Sequence, residues 1–300
     1  MRSFISCGFL LGTFALAFPS LGRGDEEPEV TIQILATFDY PLATTQTSPQ
    51  GINDLGDVSG FYNDATGATV GFIRLGNGRF SPPLIDPDDM GNFTQGRGLN
   101  NDRVLCGYYS APNFSGFHGF FLSDNLYTTY DVPGSTSTVI TGLNDAGDFV
   151  GEYATATQAF VAYSNLSGMV TTITIPNATT SSGFDINNAG EIVGDYVDDA
   201  GVTHGFYQDA AGGLVFPIDA PGAIATFPFA IDDRGQIVGR FVDSSGAGHG
   251  FLLRLPNRFV QYDFPGATFT SLNGLNSRGL CCGRYDDGSG IVHGFIGRVR

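Results

Sequence analysis

The sequence contains no lysine and no tryptophan; all fourteen of its Lys/Arg positions are arginine. The missing lysine removes Schiff-base chemistry and a phosphate-loop amine from consideration. Thirty acidic residues give a formal net charge of −16. With no basic run to displace phosphate counterions, nucleic acid is excluded as a partner. Cysteine is scarce too. Cys7 falls in the N-terminal apolar stretch, which leaves Cys106, Cys281 and Cys282. An odd number in an exported chain implies a free thiol or an intermolecular bond. Cys106 and Cys282 occupy a position filled elsewhere by Val150, Val193 and Val238, so they read as small strand hydrophobes, against a sharper reading of Cys281-Cys282 as a redox pair. Long apolar runs are also lacking, apart from Phe4 to Phe18. That run follows Arg2 and carries small residues at Ala15, Ala17, Ser20 and Gly22. At about fifteen residues it is short of the roughly twenty a membrane span needs, so residues 1–24 read as a signal peptide. The mature chain is then expected to be exported and not stably inserted in a membrane. Residues 25–30 read as an acidic linker.

What the sequence has is glycine (43), Phe (26) and Tyr (12) in a pattern that repeats. Asn or Asp recurs at Asn53, Asn100, Asn144, Asn187, Asp232 and Asn276, at intervals of 43 to 47 residues. Each stands in a tip such as GIND-LGDVSG or GLND-AGDFVG, with a glycine nearby and β-rich runs on both sides. That is hairpin chemistry, since the tip needs positive φ and side-chain bonds to its own backbone. Seven residues past each anchor stands a glycine: Gly60, Gly107, Gly151, Gly194, Gly239 and Gly283. A glycine inside a strand marks the close approach of another backbone or ring. Two residues further an aromatic follows: Tyr62, Tyr109, Tyr153, Tyr196, Phe241 and Tyr285. These read as rings packed between neighbouring units.

A second turn leads into His-Gly-Phe at His118, His204, His249 and His293, with Val70-Gly71-Phe72 and Gln158-Ala159-Phe160 in the first and third copies. An Asp-x-Pro closes the unit at Asp131, Asp219 and Asp263, and again at Asp39. Four strands per unit and a period in the forties predict an all-β, six-bladed β-propeller of four-stranded antiparallel blades over residues 31–300. The sixth copy stops at Arg300 without its Asp-x-Pro strand. Thr31 to Thr44 is that strand standing alone at the other end, so it is expected to complete the last blade and close the ring.

The repeated G-[IL]-N-[DN]-x-G-x-[IV]-V-G followed by [HQ]-[GA]-F resembles the HAF-type extracellular repeat of bacterial exported proteins, over nearly everything after residue 30. The departure is that His-Ala-Phe is mostly His-Gly-Phe here. The resemblance implies a bacterial protein that is secreted, periplasmic or on the cell surface, and propeller-like. It implies no reaction.

The histidines share one column, so symmetry spreads them around a disc instead of gathering them at a metal, and they read as structural. The Asp-x-x-Asp pairs Asp54/Asp57 and Asp145/Asp148 suggest calcium, the one cofactor the acidic turns bring to mind. Other copies lack those carboxylates, and Asx turns explain the residues without an ion. No Gly-x-Ser-x-Gly elbow or His-Glu-x-x-His motif occurs. Eight residues past the anchor lies the column that varies: Phe61, Tyr108, Glu152, Asp195, Arg240 and Arg284. A variable position on a constant frame is where repeat proteins place binding specificity, although pairing between adjacent units, such as Asp195 with Arg240, would use the same residues. Asp185 joins these candidates, since it replaces Gly51, Gly98, Gly142 and Gly274 of other copies. No Arg occurs between Arg103 and Arg234, which predicts an acidic sector in the third and fourth units. The function expected is a non-enzymatic, monomeric binding or scaffold module for a protein or glycan. The alternative is a carbohydrate hydrolase or lyase using Glu152, Asp195 and Asp185 in the central channel.

Overall fold

A computed structural model describes residues 30–300. The signal-peptide expectation and residues 25–29 of the linker lie outside them. Val30, expected in the linker, is buried in the core beside Ala230 and Val238, so the folded unit begins there. Among the described residues no helix is long and apolar enough to cross a membrane.

The chain is built from short antiparallel strands. β1 (Ile32–Phe38) is followed by β2 (Thr47–Ile52), β3 (Val58–Asn63) and β4 (Thr69–Arg74), which form one sheet. β5 (Thr94–Leu99), β6 (Leu105–Ser110), β7 (Phe117–Ser123) and β8 (Leu126–Tyr130) form the next. β9 (Ser137–Leu143), β10 (Phe149–Thr155), β11 (Gln158–Leu166) and β12 (Met169–Thr172) form another. β13 (Thr180–Ile186), β14 (Ile192–Val197), β15 (Thr203–Gln208) and β16 (Leu214–Ile218) make a meander. A single parallel bridge, Thr203 to Ala225, joins it to the meander of β17 (Ala223–Ile231), β18 (Gln236–Asp243), β19 (Gly248–Arg254) and β20 (Arg258–Tyr262). Last come β21 (Phe269–Leu275), β22 (Leu280–Asp286) and β23 (Val292–Val299). In the first sheet the fourth strand is reduced to bridges Gly71 to Leu84 and Arg74 to Phe80. Pro82 and Pro83 intervene there, and neither can donate to a ladder.

β1 does not pair with its sequence neighbour. It runs antiparallel to β23, from Ile32 opposite Val299 to Phe38 opposite Gly294, as the missing Asp-x-Pro strand requires. Beyond the ladder, His293 Nδ1 meets the Asp39 carboxylate at 2.9 Å, the same His–Asp contact that His118, His204 and His249 make within their own copies. The pairing covers the β23 edge, which would otherwise offer free N–H and C=O groups to other chains.

The first strand of each unit lies innermost. β2 touches β5, and contacts continue through β9, β13, β17 and β21, which in turn touches β2. The core lies between consecutive sheets, where each cluster draws on two units: Val150, Ile186, Ile192 and Phe206 share one, and Ala230, Val238, Leu272 and Phe295 another. The glycine column has the steric cause expected. A Cβ on Gly194 would sit 2.1 Å from the Ser182 carbonyl and 2.6 Å from the Phe206 ring. The aromatic column packs between units: Tyr62 stacks on Tyr40 at 4.1 Å, and Tyr285 on Phe264 at 3.7 Å.

One register differs from expectation. Gly151 stands opposite Tyr163 and Glu152 opposite Ala162, so Val161-Ala162-Tyr163, not Gln158-Ala159-Phe160, takes the His-Gly-Phe place in the third copy. Thr155 pairs with Gln158 across a short turn, which moves the Gln-Ala-Phe triplet to the tip of the hairpin. Cross-strand pairing sets the position, and a similar-looking triplet does not.

Candidate functional site

The inner strands enclose a channel whose two ends are built differently. At their C-terminal ends stand the anchors. Each Asn uses its carbonyl to close its own turn, as Asn53 Oδ1 accepts the N–H groups of Leu55 and Asp57 at 3.0 and 2.9 Å. Its amide then donates to the next anchor's backbone: Asn53 to Asn100 O at 3.1 Å, Asn100 to Asn144 O at 3.3 Å, Asn144 to Asn187 O at 3.1 Å, and Asn187 to Asp232 O at 3.0 Å. Asn276 donates back to Asn53 O at 2.7 Å. Asp232 has no amide to donate. Arg234 Nη2 donates to the Ser277 carbonyl at 2.9 Å, so that neighbouring unit is held by a guanidinium instead. This asparagine chain between units is a role the turn reading missed.

The residues that follow the anchors form a second ring, Asp54, Asn101, Asp145, Asn188, Asp233 and Ser277. Its carboxylates are spent on neighbours: Asp145 accepts from Asn101 and Asn188, and Asp233 from Asn188 and Ser277. These bonds hold the Asp233 carboxyl below its ordinary range, although burial works against them. In the Asp-x-x-Asp pairs the second carboxylate turns elsewhere. Asp57 holds Arg103 Nε at 2.7 Å and the Gly76 N–H at 2.8 Å, and Asp148 accepts the Ser167 N–H at 2.7 Å. Among the described residues no group of three or more His, Cys, Asp or Glu is arranged to hold a metal ion. A cavity of about 100 Å³ at this end is lined by the two rings and, deeper, by Gln50, Arg97, Thr141, Asp185 and Asn273.

The other end carries the variable column. Each member pairs across its hairpin with an inner-strand residue near the start of that strand: Phe61 with Ser48, Tyr108 with Gln95, Glu152 with Val139, Asp195 with Ser182, Arg240 with Phe227, and Arg284 with Ser271. The anchor lies five residues further along, about 16 Å away at strand rise. The column forms a belt in which Phe61 and Asp195 are buried, and Tyr108, Glu152, Arg240 and Arg284 are partly exposed.

The belt separates charge. On one arc, the Ser182 hydroxyl donates to Glu152 Oε2 and also faces Asp195. Loss of solvent raises the Asp195 carboxyl to about 8, the Glu152 charge pushes the same way, and Ser182 and Arg240 oppose it. Burial raises Glu152 as well, against the Ser182 bond and the Arg97 charge. On the other arc stand Arg240, Arg284 and Arg97. Arg240 lies over the Phe227 ring at 4.5 Å and the Phe269 ring at 5.5 Å, and Arg284 lies 5.7 Å from the same Phe269 ring. Arg97 Nη1 donates to Gln50 Oε1 at 2.6 Å, Gln50 Nε2 donates to Ser48 Oγ at 2.8 Å, and Arg284 Nη1 reaches that hydroxyl at 3.3 Å.

Of the sequence-predicted residues, Phe61, Tyr108, Glu152, Asp195, Arg240 and Arg284 thus come together in one belt. Asp185 does not join them. Its Oδ2 accepts the Ile231 N–H at 3.0 Å from the next inner strand, and burial first of all raises it to about 7. The three carboxylates proposed for catalysis therefore do not share a centre: two meet at Ser182, and the third pins two strands. The sequence reading also missed Arg97, Ser182, Phe227 and Phe269. They occupy inner-strand columns five, three or seven residues before the anchor, which vary between copies as the chosen column does.

The histidines are held by aspartates on neighbouring turns. His204 contacts Asp219 at 2.9 Å and Asp198 at 3.3 Å, and His249 contacts Asp263 at 2.8 Å and Asp243 at 3.3 Å. Burial pulls both imidazoles down, but the paired carboxylates together outweigh it and raise them. Cys106, Cys281 and Cys282 are free thiols, fully buried, and burial raises Cys106 and Cys281 to about 12. They pack as hydrophobes.

No family model matches the chain, and no curated protein does. Solved structures do. A protein assigned as TolB from Agrobacterium tumefaciens aligns at a TM-score of 0.55 with 15% identity, covering 84% of this chain and 89% of that one. A variant of Aleuria aurantia lectin in complex with Fucα1-6GlcNAc aligns at 0.56 with 9% identity, covering 88% and 96%. AofleA from Arthrobotrys oligospora aligns at 0.55 with 13% identity, covering 89% and 86%. At such identities the likeness concerns the fold, which is that of a β-propeller.

Proposed function

We propose that the chain is an exported bacterial binding module of the HAF-repeat kind. In this reading it is a monomeric six-bladed propeller, closed by β1 in the last blade, that receives a protein or glycan at the belt end of its channel and needs no cofactor. One observation carries the reading: the belt side chains differ from copy to copy on a frame whose turns and strand glycines barely change. The frame accounts for the fold without them, so their variety is free to serve recognition. Closure is supported by the β1–β23 ladder and by the return of Asn276 to Asn53. A glycan is supported by the lectin among the structural neighbours, which is in complex with a fucosylated sugar.

The test is a glycan array together with capture from envelope extracts, using the mature chain and a Tyr108→Ala/Arg240→Ala variant. A ligand held by the wild type and lost by the folded belt variant is expected. Ligands that bind both equally would refute the belt as the site, and EDTA should leave binding unchanged.

A second reading rests on the shared Ser182 hydroxyl. Two carboxyls with raised affinity for protons, meeting at one hydroxyl, are the elements of acid–base work on a glycosidic bond. Release of reducing ends from a polysaccharide panel, abolished by Glu152→Gln, would establish it; no release would dismiss it.

A further inference from the structure

An overall charge of −16 conceals a positive arc inside the molecule. Arg97, Arg240 and Arg284 are tied together by the Gln50–Ser48 hydrogen-bond chain and by the Phe269 ring that two of them share. Among the described residues none of the three has a carboxylate within ion-pair distance, whereas Arg103 has that of Asp57. Their donors are largely unspent. Each guanidinium offers five N–H groups. Among the described residues the Arg240 side chain makes no hydrogen bond, that of Arg284 makes one and that of Arg97 makes one. Arg240 Nε and Arg284 Nε are buried with no hydrogen-bond partner among the described residues. Three adjacent cations repel one another, and such an arrangement costs stability unless something negative completes it.

We propose that Arg97, Arg240 and Arg284 receive a carboxylate carried on a sugar ring, so that the ligand class is an acidic, uronate-type glycan. The inference deepens the binding-module reading and rests on it. A planar guanidinium fork matches the two oxygens of a carboxylate, which arginine binds better than a point charge would. The aromatic surroundings select a sugar over an acidic peptide. Phe227 and Phe269 lie under the guanidiniums, and Phe93, Tyr108 and Phe117 form a partly exposed cluster at the same end, with ring centroids 5.3 to 5.9 Å apart. Such faces accept the C–H side of a pyranose while the arginines hold its acid group. The opposite arc does not pair with them: Glu152 is held by the Ser182 hydroxyl, and burial favours the protonated form of Asp195. Loss of solvent brings the Arg284 guanidinium down to about 10, and Arg240 and Arg97 push it the same way, as expected of a cation crowded by its own kind.

The probe is trigalacturonate, titrated calorimetrically into the mature chain at pH 7 and low salt. The comparisons are its methyl ester, maltotriose and triglutamate. Trigalacturonate should bind at least tenfold more tightly than each comparison compound and weaken as NaCl is raised. Arg240→Gln and Arg284→Gln should each lose at least tenfold in affinity. If Arg284→Gln does not fold, as judged by circular dichroism, Arg97→Gln takes its place with the same expectation. Equal binding of the ester, equal binding of triglutamate, or arginine variants that bind like the wild type would overturn the proposal. Failure of trigalacturonate while a neutral array glycan binds at the belt would overturn this inference and leave the binding module standing. Failure of every glycan and protein would remove both.

Discussion

Replacing Asp195 by Asn should make the protein more stable at alkaline pH, with a much smaller gain at pH 5. Asp195 is 9% exposed, and its carboxyl is raised from 3.8 to about 8, chiefly by loss of solvent and then by the Glu152 charge. In the unfolded chain the group returns to the ordinary value near 4. Between those two values the folded chain holds a proton that the unfolded chain has released, so folding is favoured at low pH. That advantage is lost as pH rises towards 8. Four units at about 1.4 kcal/mol each set a ceiling of roughly 6 kcal/mol. Water in the channel and adjustment of Arg240 and Ser182 reduce it, to about 2–4 kcal/mol. Asn keeps the shape and never ionises. The assay is urea denaturation from pH 5 to 9, followed by far-UV circular dichroism and tyrosine fluorescence, since the chain has no tryptophan. Glu152, Asp185, His204 and His249 are all raised, so they too lose stabilisation as pH rises, and the wild type should decline over this range in any case. The difference between the two proteins isolates Asp195. Parallel stability curves across the range would refute the reasoning.

Asn187→Ala should cost about 2–4 kcal/mol, because one side chain makes three bonds within its turn and one to the next unit; an effect under 1 kcal/mol in urea denaturation would contradict the staple. Gly194→Ala should cost about 3 kcal/mol or more, since the added carbon meets the Ser182 carbonyl and the Phe206 ring, whereas Gly201→Ala meets open space and should cost about 1 kcal/mol for its positive φ alone. Removing residues 30–43 should expose β23, and light scattering should then report association that the intact chain does not show.

Much of the fold was legible because a repeat is its own comparison. Six copies made the turn residues, the strand glycines and the unpaired strand at the start of the array visible without any relative. The third copy was misread where its turn is shorter and a similar triplet lies nearby. The candidate site was legible in part: the variable column marked the belt, but a column says only that its members are equivalent, not whether they face one another. Asp185 looked like a belt residue, yet it bonds Ile231 of the adjacent strand. Arg97 stood outside every column chosen from the sequence, and it completes the positive arc.

The sequence by itself determined the repeating hairpins, the glycines that let a carbonyl and a ring approach, and the terminal strand that pairs across the whole chain. These depend on local φ preferences, side-chain period and matching of ends, all of which are written in residue order. Tertiary structure alone decided that five separate asparagine turns link into a chain of bonds, that Glu152 and Asp195 share one hydroxyl, and that three arginines gather in a molecule of strong negative charge. Those outcomes depend on distances across the channel between residues more than forty positions apart, and Coulomb and hydrogen-bond energies follow distance in space, not position along the chain.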